Sequence, residues 1–196
     1  VTKVLTRSRV DTRGDYRYPD LLTHSVDEVI EHSDVIVECT GDVLFGTDMI
    51  AKVMEAGIPV VTMNTELQVT TGSYFAKRGY ITEAEGDQPG CLAALRENVL
   101  QMGFEPLVFG NIKGFLNPNP SPKDMLYWSN RNKISLEMVT SFTDGTKVEF
   151  EQTLVANGLN TKFLPSGIMG ISEEDLQEGA NALAIEADQL GYPISD

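Results

Sequence analysis

The stretch Ser33-Asp-Val-Ile-Val-Glu-Cys-Thr-Gly-Asp42 opens the part of the sequence that decides the fold. An amphipathic segment follows it, and then Gly57-Ile-Pro-Val-Val-Thr-Met-Asn-Thr-Glu66. A second amphipathic segment leads to Tyr80-Ile-Thr-Glu-Ala-Glu85. Three short apolar runs therefore alternate with two longer helical patterns, which is typical of parallel βαβ units.

Polar residues and glycine follow each of these three predicted strands. A parallel open sheet binds its ligand in the crevice outside the carboxyl ends of its strands. In this sequence those ends are Thr40-Gly41, Asn64 and the polar segment 83–87. The search for a functional site therefore starts at these three points.

Composition limits the classes of partner. The chain has 196 residues and a formal net charge of −14. DNA, RNA and anionic membranes bind basic surfaces, so none of them is predicted as a partner. Two cysteines in no metal-ligand spacing, together with the absence of a secretory signal, favour the reducing cytoplasm. No apolar run is long enough to span a membrane.

The order of the elements predicts three segments. Residues 1–86 follow a βαβ pattern and are interpreted as a partial NAD(P)-binding, Rossmann-like domain with a parallel sheet. Residues 87–170 are interpreted as an α+β catalytic and dimerisation domain, and residues 171–196 as a C-terminal helix. The predicted fold class is thus α/β with a second α+β domain, and a homo-oligomer is expected.

The start of the chain lacks one expected feature. Val1 to Leu5 begins directly as a strand, and no Gly-x-Gly-x-x-Gly turn occurs in the sequence. We expect Val1 to Leu5 to be the second strand of the fold, with the first strand and its glycine turn missing from this sequence. That turn normally holds the pyrophosphate of a dinucleotide.

Arg7, Ser8 and Arg9 follow this first strand. The end of the second strand of a dinucleotide site meets the adenosine ribose, where Arg accommodates a 2′-phosphate. Two guanidinium groups and a hydroxyl suit a phosphate, because Arg binds it in a bidentate manner. These residues therefore indicate NADP, or NAD, as the cofactor. Ordinary solvated residues after a strand are the alternative interpretation.

The next strand ends supply further cofactor-binding candidates. Thr40, Gly41, Asn64 and Glu85 are predicted to line the nicotinamide end of the site. Glycine lets a ligand approach the backbone, and the other side chains offer hydrogen bonds. The alternative is that they form plain turns, with Asp87 acting only as a helix cap.

Three residues of the second half are predicted to be catalytic. Asp144 and Lys147 would be neighbours on one face if the segment were helical. An ammonium aimed by a carboxylate can polarise a carbonyl and donate a proton during hydride transfer. Lys113 follows a strand and could hold a substrate carboxylate or phosphate. The alternatives are a surface ion pair and an exposed loop lysine. No hydrolase or metal-ligand motif appears, so no metal is predicted.

Motifs along most of the chain resemble the homoserine dehydrogenase superfamily. Asp34-Val-Ile-Val-Glu-Cys-Thr-Gly41 is similar to that family's Asp-Val-Val-Val-Glu-x-Thr-Gly. Ala56-Gly-Ile-Pro-Val-Val-Thr-Met-Asn64 is similar to its Ala-Gly-x-x-Val-Val-Thr-Ala-Asn. Gly86-Asp-Gln-Pro89 and Ser141-Phe-Thr-Asp-Gly-Thr-Lys147 resemble the divergent branch that includes deoxyxylulose-phosphate reductoisomerase-like enzymes.

This resemblance implies an NAD(P) domain joined to a catalytic and dimerisation domain. It places the family's catalytic Asp and Lys on Asp144 and Lys147, and its strand-end Asn on Asn64. Homoserine dehydrogenases carry Lys after that Asn, whereas this chain has Thr65. The departure argues against homoserine as the substrate and favours the divergent branch.

The predicted function is therefore hydride transfer between a nicotinamide, with NADP preferred, and a small hydroxy acid or sugar phosphate. The substrate is expected to be an anionic small molecule. A non-catalytic binding or assembly module with a nucleotide fold is the alternative, and the absent glycine turn supports it.

Overall fold

The computed structural model describes residues 1–7, 16–86 and 88–196 of the chain. The chain divides into two compact units, Val1–Ala84 and Glu85–Asp196, each with its own cluster of buried apolar side chains. Both units contain helices and parallel strands, so the predicted α/β class with a parallel sheet is confirmed.

The first unit contains two parallel sheets. The strands β1 (Val4–Leu5) and β2 (Leu22–Thr23) form a two-stranded sheet. The strands β3 (Ile36–Glu38), β4 (Val60–Thr62) and β5 (Ile81–Glu83) form a three-stranded sheet in that order. Glu38, Thr62 and Glu83 are in register at its carboxyl end. Side chains at these positions therefore lie at one edge of the sheet.

Helices connect these strands. The helix α1 (Val26–Glu31) begins at Ser25, whose hydroxyl accepts a hydrogen bond from the Glu28 amide, as the capping spacing predicts. The helix α2 (Val43–Glu55) leads from β3 to β4. Two single turns, α3 (Thr65–Leu67) and α4 (Ser73–Phe75), flank a π-helical turn over Gln68–Gly72. The β-branched run 69–71 before Gly72 suits a regular helix poorly, which is consistent with this break.

The core of the first unit lies on one face of the three-stranded sheet. Ile50, Val53, Val60, Leu67 and Phe75 form it. On the other face of β3 and its approach, Val35 and Val37 are 51% and 58% exposed within the described residues. The apolar run 34–39 predicts a buried strand, and the structure covers only one of its faces. In a strand alternate side chains point to opposite faces, and here only one face is covered.

Two carboxylates of the first unit have lowered pKa values. Hydrogen bonds from the Lys3 ammonium and the Thr23 hydroxyl lower the pKa of Glu28. The Phe45 amide, which donates to Asp42 Oδ1 at 2.9 Å, and the nearby Arg7 guanidinium lower the pKa of Asp42. A pKa that is lower in the folded than in the unfolded state stabilises the fold only while the carboxyl is ionised.

We therefore expect acid to remove this stabilisation as the pH falls below the ordinary carboxyl value of about 4 and through the lowered values. The double variant Glu28→Gln, Asp42→Asn removes both titrating groups. Its unfolding midpoint should fall less than that of the wild type between about pH 7 and pH 3. Thermal unfolding followed by circular dichroism at several pH values measures this difference. Equal falls in the unfolding midpoint for the two proteins would contradict the claim that ionisation of Glu28 and Asp42 stabilises the fold.

The second unit is mainly helical. Its helices are α5 (Gly90–Gln101), α6 (Pro122–Asn132), α7 (Leu136–Asp144), α8 (Thr146–Leu159) and α9 (Leu176–Leu190). A parallel pair, β6 (Val108–Phe109) and β7 (Ile194–Ser195), packs against α8 and α9. Leu164, Leu183, Ala187 and Ile194 form its buried apolar cluster.

One turn in the second unit changes an interpretation of the sequence. Gly145 has a φ of +95°, in the left-handed region that favours glycine, and it separates α7 from α8. Asp144 therefore ends one helix and Lys147 lies in the first turn of the next. The assumption that both lie on one helical face is wrong. The helix α8 begins at Thr146, and its N-cap residue Gly145 has no side chain that could cap it.

Candidate active site

A buried carboxylate organises the strand ends of the first unit. Glu38 accepts hydrogen bonds at Oε1 from the Thr40 amide at 2.7 Å and from the Thr40 hydroxyl at 2.6 Å. At Oε2 it accepts from the Thr62 hydroxyl at 2.6 Å, which joins β3 to β4. The hydroxyl of Thr62 also accepts from the Asn64 amide at 3.0 Å. The hydrogen bonds of Glu38 thus fix the position of Thr40 directly and that of Asn64 through Thr62.

Glycine inside α2 permits this arrangement. A β-carbon at the buried Gly46 would lie 2.7 Å from Leu67 Cδ1 and 3.2 Å from Glu38 Oε1. The absence of a side chain therefore lets α2 approach the strand ends closely. Sequence analysis missed Glu38 and Gly46. The signal for Glu38 is its place as the only ionisable residue within an otherwise apolar strand, in line with the end of the next strand.

Arg7 and Asp42 meet beside the same turn. Gly41 has a φ of +67° and is exposed, and Asp42 follows it as the residue that caps α2. Arg7 Nη1 lies 3.2 Å from Asp42 Oδ2, and its guanidinium lies 5.4 Å from the centre of the Phe45 ring. The structure thus brings Arg7 to the loop that contains Thr40 and Gly41. Ser8 and Arg9, predicted with Arg7, lie outside the described residues.

Asn64 has a donor available for a ligand. Its side-chain oxygen accepts a hydrogen bond from the Leu67 amide at 3.1 Å and so caps α3. Its amide nitrogen Nδ2 is buried and has no hydrogen-bond partner among the described residues. A buried donor without a partner costs about 1–3 kcal/mol, so a ligand acceptor at this position would be stabilising. Asn64 could therefore donate a hydrogen bond to an acceptor group of a bound ligand, and its predicted role at the nicotinamide remains a prediction.

The third strand end is less closely connected to these residues. Gln68 Nε2 donates to Glu83 Oε2 at 3.0 Å, which ties the π-helical turn to β5. Glu85 is exposed and lies two residues beyond β5. Asp87, considered as a cap for α5, lies outside the described residues. The predicted role of Glu85 at the nicotinamide end remains a prediction.

In the second unit two lysines contact one buried carboxylate. Glu151 lies on α8 and its side chain is fully buried. Lys147 Nζ lies 3.0 Å from Glu151 Oε1, and Lys113 Nζ lies 3.9 Å from Glu151 Oε2. The lysine side chains are 19% and 23% exposed, so both are largely covered. The structure therefore brings together Lys147 and Lys113, two of the three predicted catalytic residues.

Two further contacts complete this cluster. Asn111 Nδ2 donates to Glu151 Oε2 at 2.8 Å. Lys147 Nζ lies 5.0 Å from the centre of the Phe142 ring on α7, within the range of a cation–π interaction. We refer to Asn111, Lys113, Phe142, Lys147 and Glu151 as the lysine cluster. Each of its ionisable groups has an oppositely charged neighbour, which partly buried charges require.

Hydrogen bonds from Gln152 fix the position of α8. Its amide nitrogen Nε2 is buried and donates to the Phe109 carbonyl at 2.7 Å and to the Asp196 carbonyl at 2.9 Å. The Asn111 amide in turn donates to the Asp196 carbonyl at 2.9 Å. The helix that contains Glu151 and Lys147 is thereby attached to the end of β6, from which Asn111 and Lys113 extend.

Asp144, the third predicted catalytic residue, is engaged locally. Its Oδ1 accepts a hydrogen bond from the Thr146 amide at 2.9 Å, at the start of α8. The carboxylate that the structure places against Lys147 is that of Glu151, four residues further on. Sequence analysis missed Glu151. The signal was the Lys147-x-x-x-Glu151 spacing, which places both residues on one face of a helix. The predicted catalytic role of Asp144 remains a prediction.

Comparison with protein-family models identifies the chain. Residues 86–191 match the model described as oxidoreductase DRL, catalytic domain, and residues 1–77 match the homoserine dehydrogenase NAD-binding domain. The chain belongs to the DRL oxidoreductase family. A search of curated proteins gave no match at the significance required. The resemblance to homoserine dehydrogenase-like enzymes is confirmed, and this DRL oxidoreductase uses a nicotinamide cofactor.

Most of the candidate residues lie within one of the two matched segments. Arg7, Thr40, Gly41 and Asn64 lie in the part that matches an NAD-binding domain. The lysine cluster lies in the part that matches the DRL catalytic domain. The alternative of a non-catalytic module therefore loses its support, because the matched domain is that of an oxidoreductase.

The described part of the chain contains neither a membrane-spanning helix nor a group of metal ligands. No helix there is long and apolar enough to cross a membrane. Within residues 1–7, 16–86 and 88–196 no three His, Cys, Asp or Glu side chains are grouped so that they could hold a metal ion. A homo-oligomer and a cytoplasmic location remain predictions.

Proposed function

We propose that this DRL oxidoreductase transfers hydride between NADP and a small hydroxy acid or sugar phosphate. The observation that carries the proposal is the lysine cluster, in which two largely covered ammonium groups lie against the buried carboxylate of Glu151. The cluster lies within the match to an oxidoreductase catalytic domain. When bound, the nicotinamide supplies or accepts the hydride.

Lys147 is proposed as the proton donor and acceptor. In the direction of reduction the substrate carbonyl carbon gains a hydride, and its oxygen develops negative charge. The Lys147 ammonium stabilises that charge and donates a proton to the oxygen, which leaves a neutral amine and a hydroxyl group. In the opposite direction the amine takes the proton back. A proton donor positioned in this way contributes about 10²–10⁴-fold to the rate.

Lys113 is proposed to bind the anionic group of the substrate. Its ammonium lies at the far oxygen of Glu151 from Lys147, so the two cations occupy different sides of one carboxylate. An ammonium is a compact charge with three donors, which suits a carboxylate or a phosphate. A substrate that carries an anionic group beside a hydroxyl would use both lysines.

A spectrophotometric assay tests the proposed reaction. The full-length protein is incubated with NADPH or NADH and a panel of keto acids and ketose phosphates, each paired with its uncharged analogue. We expect oxidation of NADPH with at least one anionic compound and much slower oxidation with its uncharged analogue. Equal turnover of the charged and uncharged members of every pair would contradict the proposed substrate class.

Arg7 is proposed to select NADP over NAD. Its guanidinium is already held by Asp42 beside the Gly41 turn and can form a bidentate pair with a 2′-phosphate. Arg7→Ala should weaken the binding of NADPH by about tenfold or more and change that of NADH little, because only NADPH carries the 2′-phosphate. Titration of cofactor fluorescence measures the dissociation constants of NADPH and NADH. Arg78→Ala, which removes an arginine stacked on Tyr74 in the same unit, is the control. Equal losses for both cofactors would refute this role for Arg7.

A further inference from the structure

Glu151 is the ionisable residue of the lysine cluster to which no role has yet been given. It contacts both lysines, and each of its two oxygens faces a different ammonium. Its side chain is fully buried, whereas each lysine retains some exposure. The surrounding residues therefore restrict the position of the Glu151 carboxylate, and the carboxylate in turn restricts the positions of the two ammonium groups.

The place of Lys147 in the fold explains why an anion is needed. Lys147 lies in the first turn of α8, where the helix dipole presents its positive end. An ammonium is disfavoured there, and the Glu151 carboxylate one turn later offsets this cost. The Lys147 ammonium lies 3.0 Å from Glu151 Oε1, so the carboxylate attracts it strongly at this partly covered position.

The surroundings of Glu151 fix its own position. Its Oε2 accepts from Asn111, whose backbone amide is bonded to Asp196. The next residue, Gln152, attaches α8 to the end of β6. Glu151 is therefore supported from its own helix and from the loop that carries Lys113. A change in its charge would act on both lysines while leaving these attachments in place.

We propose that Glu151 is the positioning residue of the active site. Its carboxylate holds Lys147 ready for proton transfer and Lys113 ready for the substrate anion. It does not itself contact the substrate. This inference rests on the proposed function, since it takes the two lysines as the groups that act on the substrate.

Glu151→Gln is the variant that tests this inference. It keeps the shape of the side chain and an acceptor for Asn111 but removes the negative charge. We expect kcat to fall by about 30-fold or more, because Lys147 is no longer directed, and KM for the anionic substrate to rise severalfold. Glu151→Asp keeps the charge and should recover part of kcat. Glu149→Gln makes the same chemical change at an exposed position of α8 and should behave like the wild type.

A second measurement separates this inference from the proposed function. The rates at which acetic anhydride modifies Lys147 and Lys113 are measured by mass spectrometry, with the exposed Lys123 as an internal reference. Loss of the Glu151 charge should change both rates severalfold in Glu151→Gln, whether or not a substrate is known. Unchanged modification rates together with wild-type turnover would overturn the positioning role and leave the proposed function standing. Altered rates in a protein that turns over no hydroxy compound would overturn the proposed function alone.

A structural role alone would give a different result. If Glu151 only stabilised the contact between α8 and the loop after β6, Glu151→Gln would lower the unfolding midpoint and leave kcat and KM of the folded protein unchanged. Circular dichroism and the unfolding midpoint are therefore recorded for each variant. Wild-type kinetic constants in a folded but less stable variant would refute the inference.

Discussion

Lys147→Met is expected to lower kcat for hydride transfer by about 10²–10⁴-fold, which is the usual contribution of a positioned proton donor. Methionine retains most of the apolar length of the side chain and removes the ammonium. The rate falls because negative charge develops on the substrate oxygen with no cation or proton beside it. Steady-state oxidation of NADPH with the anionic compound found in the substrate panel measures the loss.

Two controls distinguish chemistry from folding. Lys123→Met makes the same substitution at an exposed position of α6 and should leave turnover unchanged. Lys147→Met leaves the buried Glu151 without one of its cationic neighbours, which destabilises the fold. The double variant Lys147→Met, Glu151→Gln removes both charges and should recover much of the stability without recovering turnover. Cofactor titration should show that the single and double variants bind NADPH as the wild type does.

The size of the loss decides the role of Lys147. A loss of less than about fivefold in a folded variant would remove Lys147 from the proton transfer, because a general acid contributes far more. A rise in KM with unchanged kcat would assign Lys147 to substrate binding instead. In that case Asp144, which ends α7 beside the turn at Gly145, would be the next candidate for the proton donor.

The sequence was sufficient for the order and type of the main elements. Apolar runs of β-branched residues alternate with amphipathic segments, and Gly57 and Gly79 follow the segments that end before β4 and β5. The apolar runs, the amphipathic segments and the glycines all indicate the same alternation of strands and helices, so the parallel arrangement of β3, β4 and β5 could be predicted. Each of these strands is three residues long in the structure, although the flanking residues Pro59, Met63, Tyr80 and Ala84 also form a backbone hydrogen bond to the neighbouring strand.

Contacts between distant residues could not be predicted in the same way. Lys113 lies in an irregular loop after β6, and nothing in its local sequence indicates that it reaches Glu151, 38 positions further on. A Lys-x-x-x-Glu pair in a helix is usually a surface ion pair of small effect. Here α8 packs against β7 and the Glu151 side chain is buried, so its ion pairs are less screened by water than those at a surface.

The error at Asp144 has a specific cause. The Asp144-x-x-Lys147 spacing indicates a pair only if the helix continues through Gly145. Helices commonly end at a glycine with a positive φ, and Gly145 ends α7 in this way. Glu38 was missed for the opposite reason. A carboxylate within an apolar strand was read as part of a family motif, although its three hydrogen bonds make it the centre of the strand-end network.

Gln152→Ala is expected to have the largest effect on stability among the substitutions considered. The wild-type amide is fully buried and donates to the Phe109 and Asp196 carbonyls and to the Ser195 hydroxyl at 3.2 Å. Alanine removes these hydrogen bonds, at about 1 kcal/mol each, although the Phe109 and Asp196 carbonyls keep the backbone amides of Asp196 and Asn111 as donors, and it also leaves a cavity. We expect a total loss of about 3–5 kcal/mol and a fall in the unfolding midpoint of about 10 °C.

Two further variants make this measurement decisive. Gln101→Ala makes the same substitution at an exposed position at the end of α5 and should lower the midpoint by only about 1–2 °C. Ser195→Ala removes one hydroxyl that accepts from Gln152 Nε2 and donates to the Gln152 carbonyl at 2.9 Å, and should cost about 1 kcal/mol. If Gln152→Ala does not fold, Ser195→Ala and chemical denaturation at low temperature still measure the strength of this attachment.

Loss of Gln152 should also affect the kinetic constants, because α8 contains Gln152 as well as Lys147 and Glu151 of the lysine cluster. Without the bond to Phe109, α8 is free to move relative to the loop that carries Asn111 and Lys113. At temperatures where Gln152→Ala is still folded, we expect KM for the anionic substrate to rise and kcat to fall together. A folded Gln152→Ala variant with wild-type kinetics would show that Glu151 and Asn111 keep their arrangement unaided, and that the anchor serves stability alone.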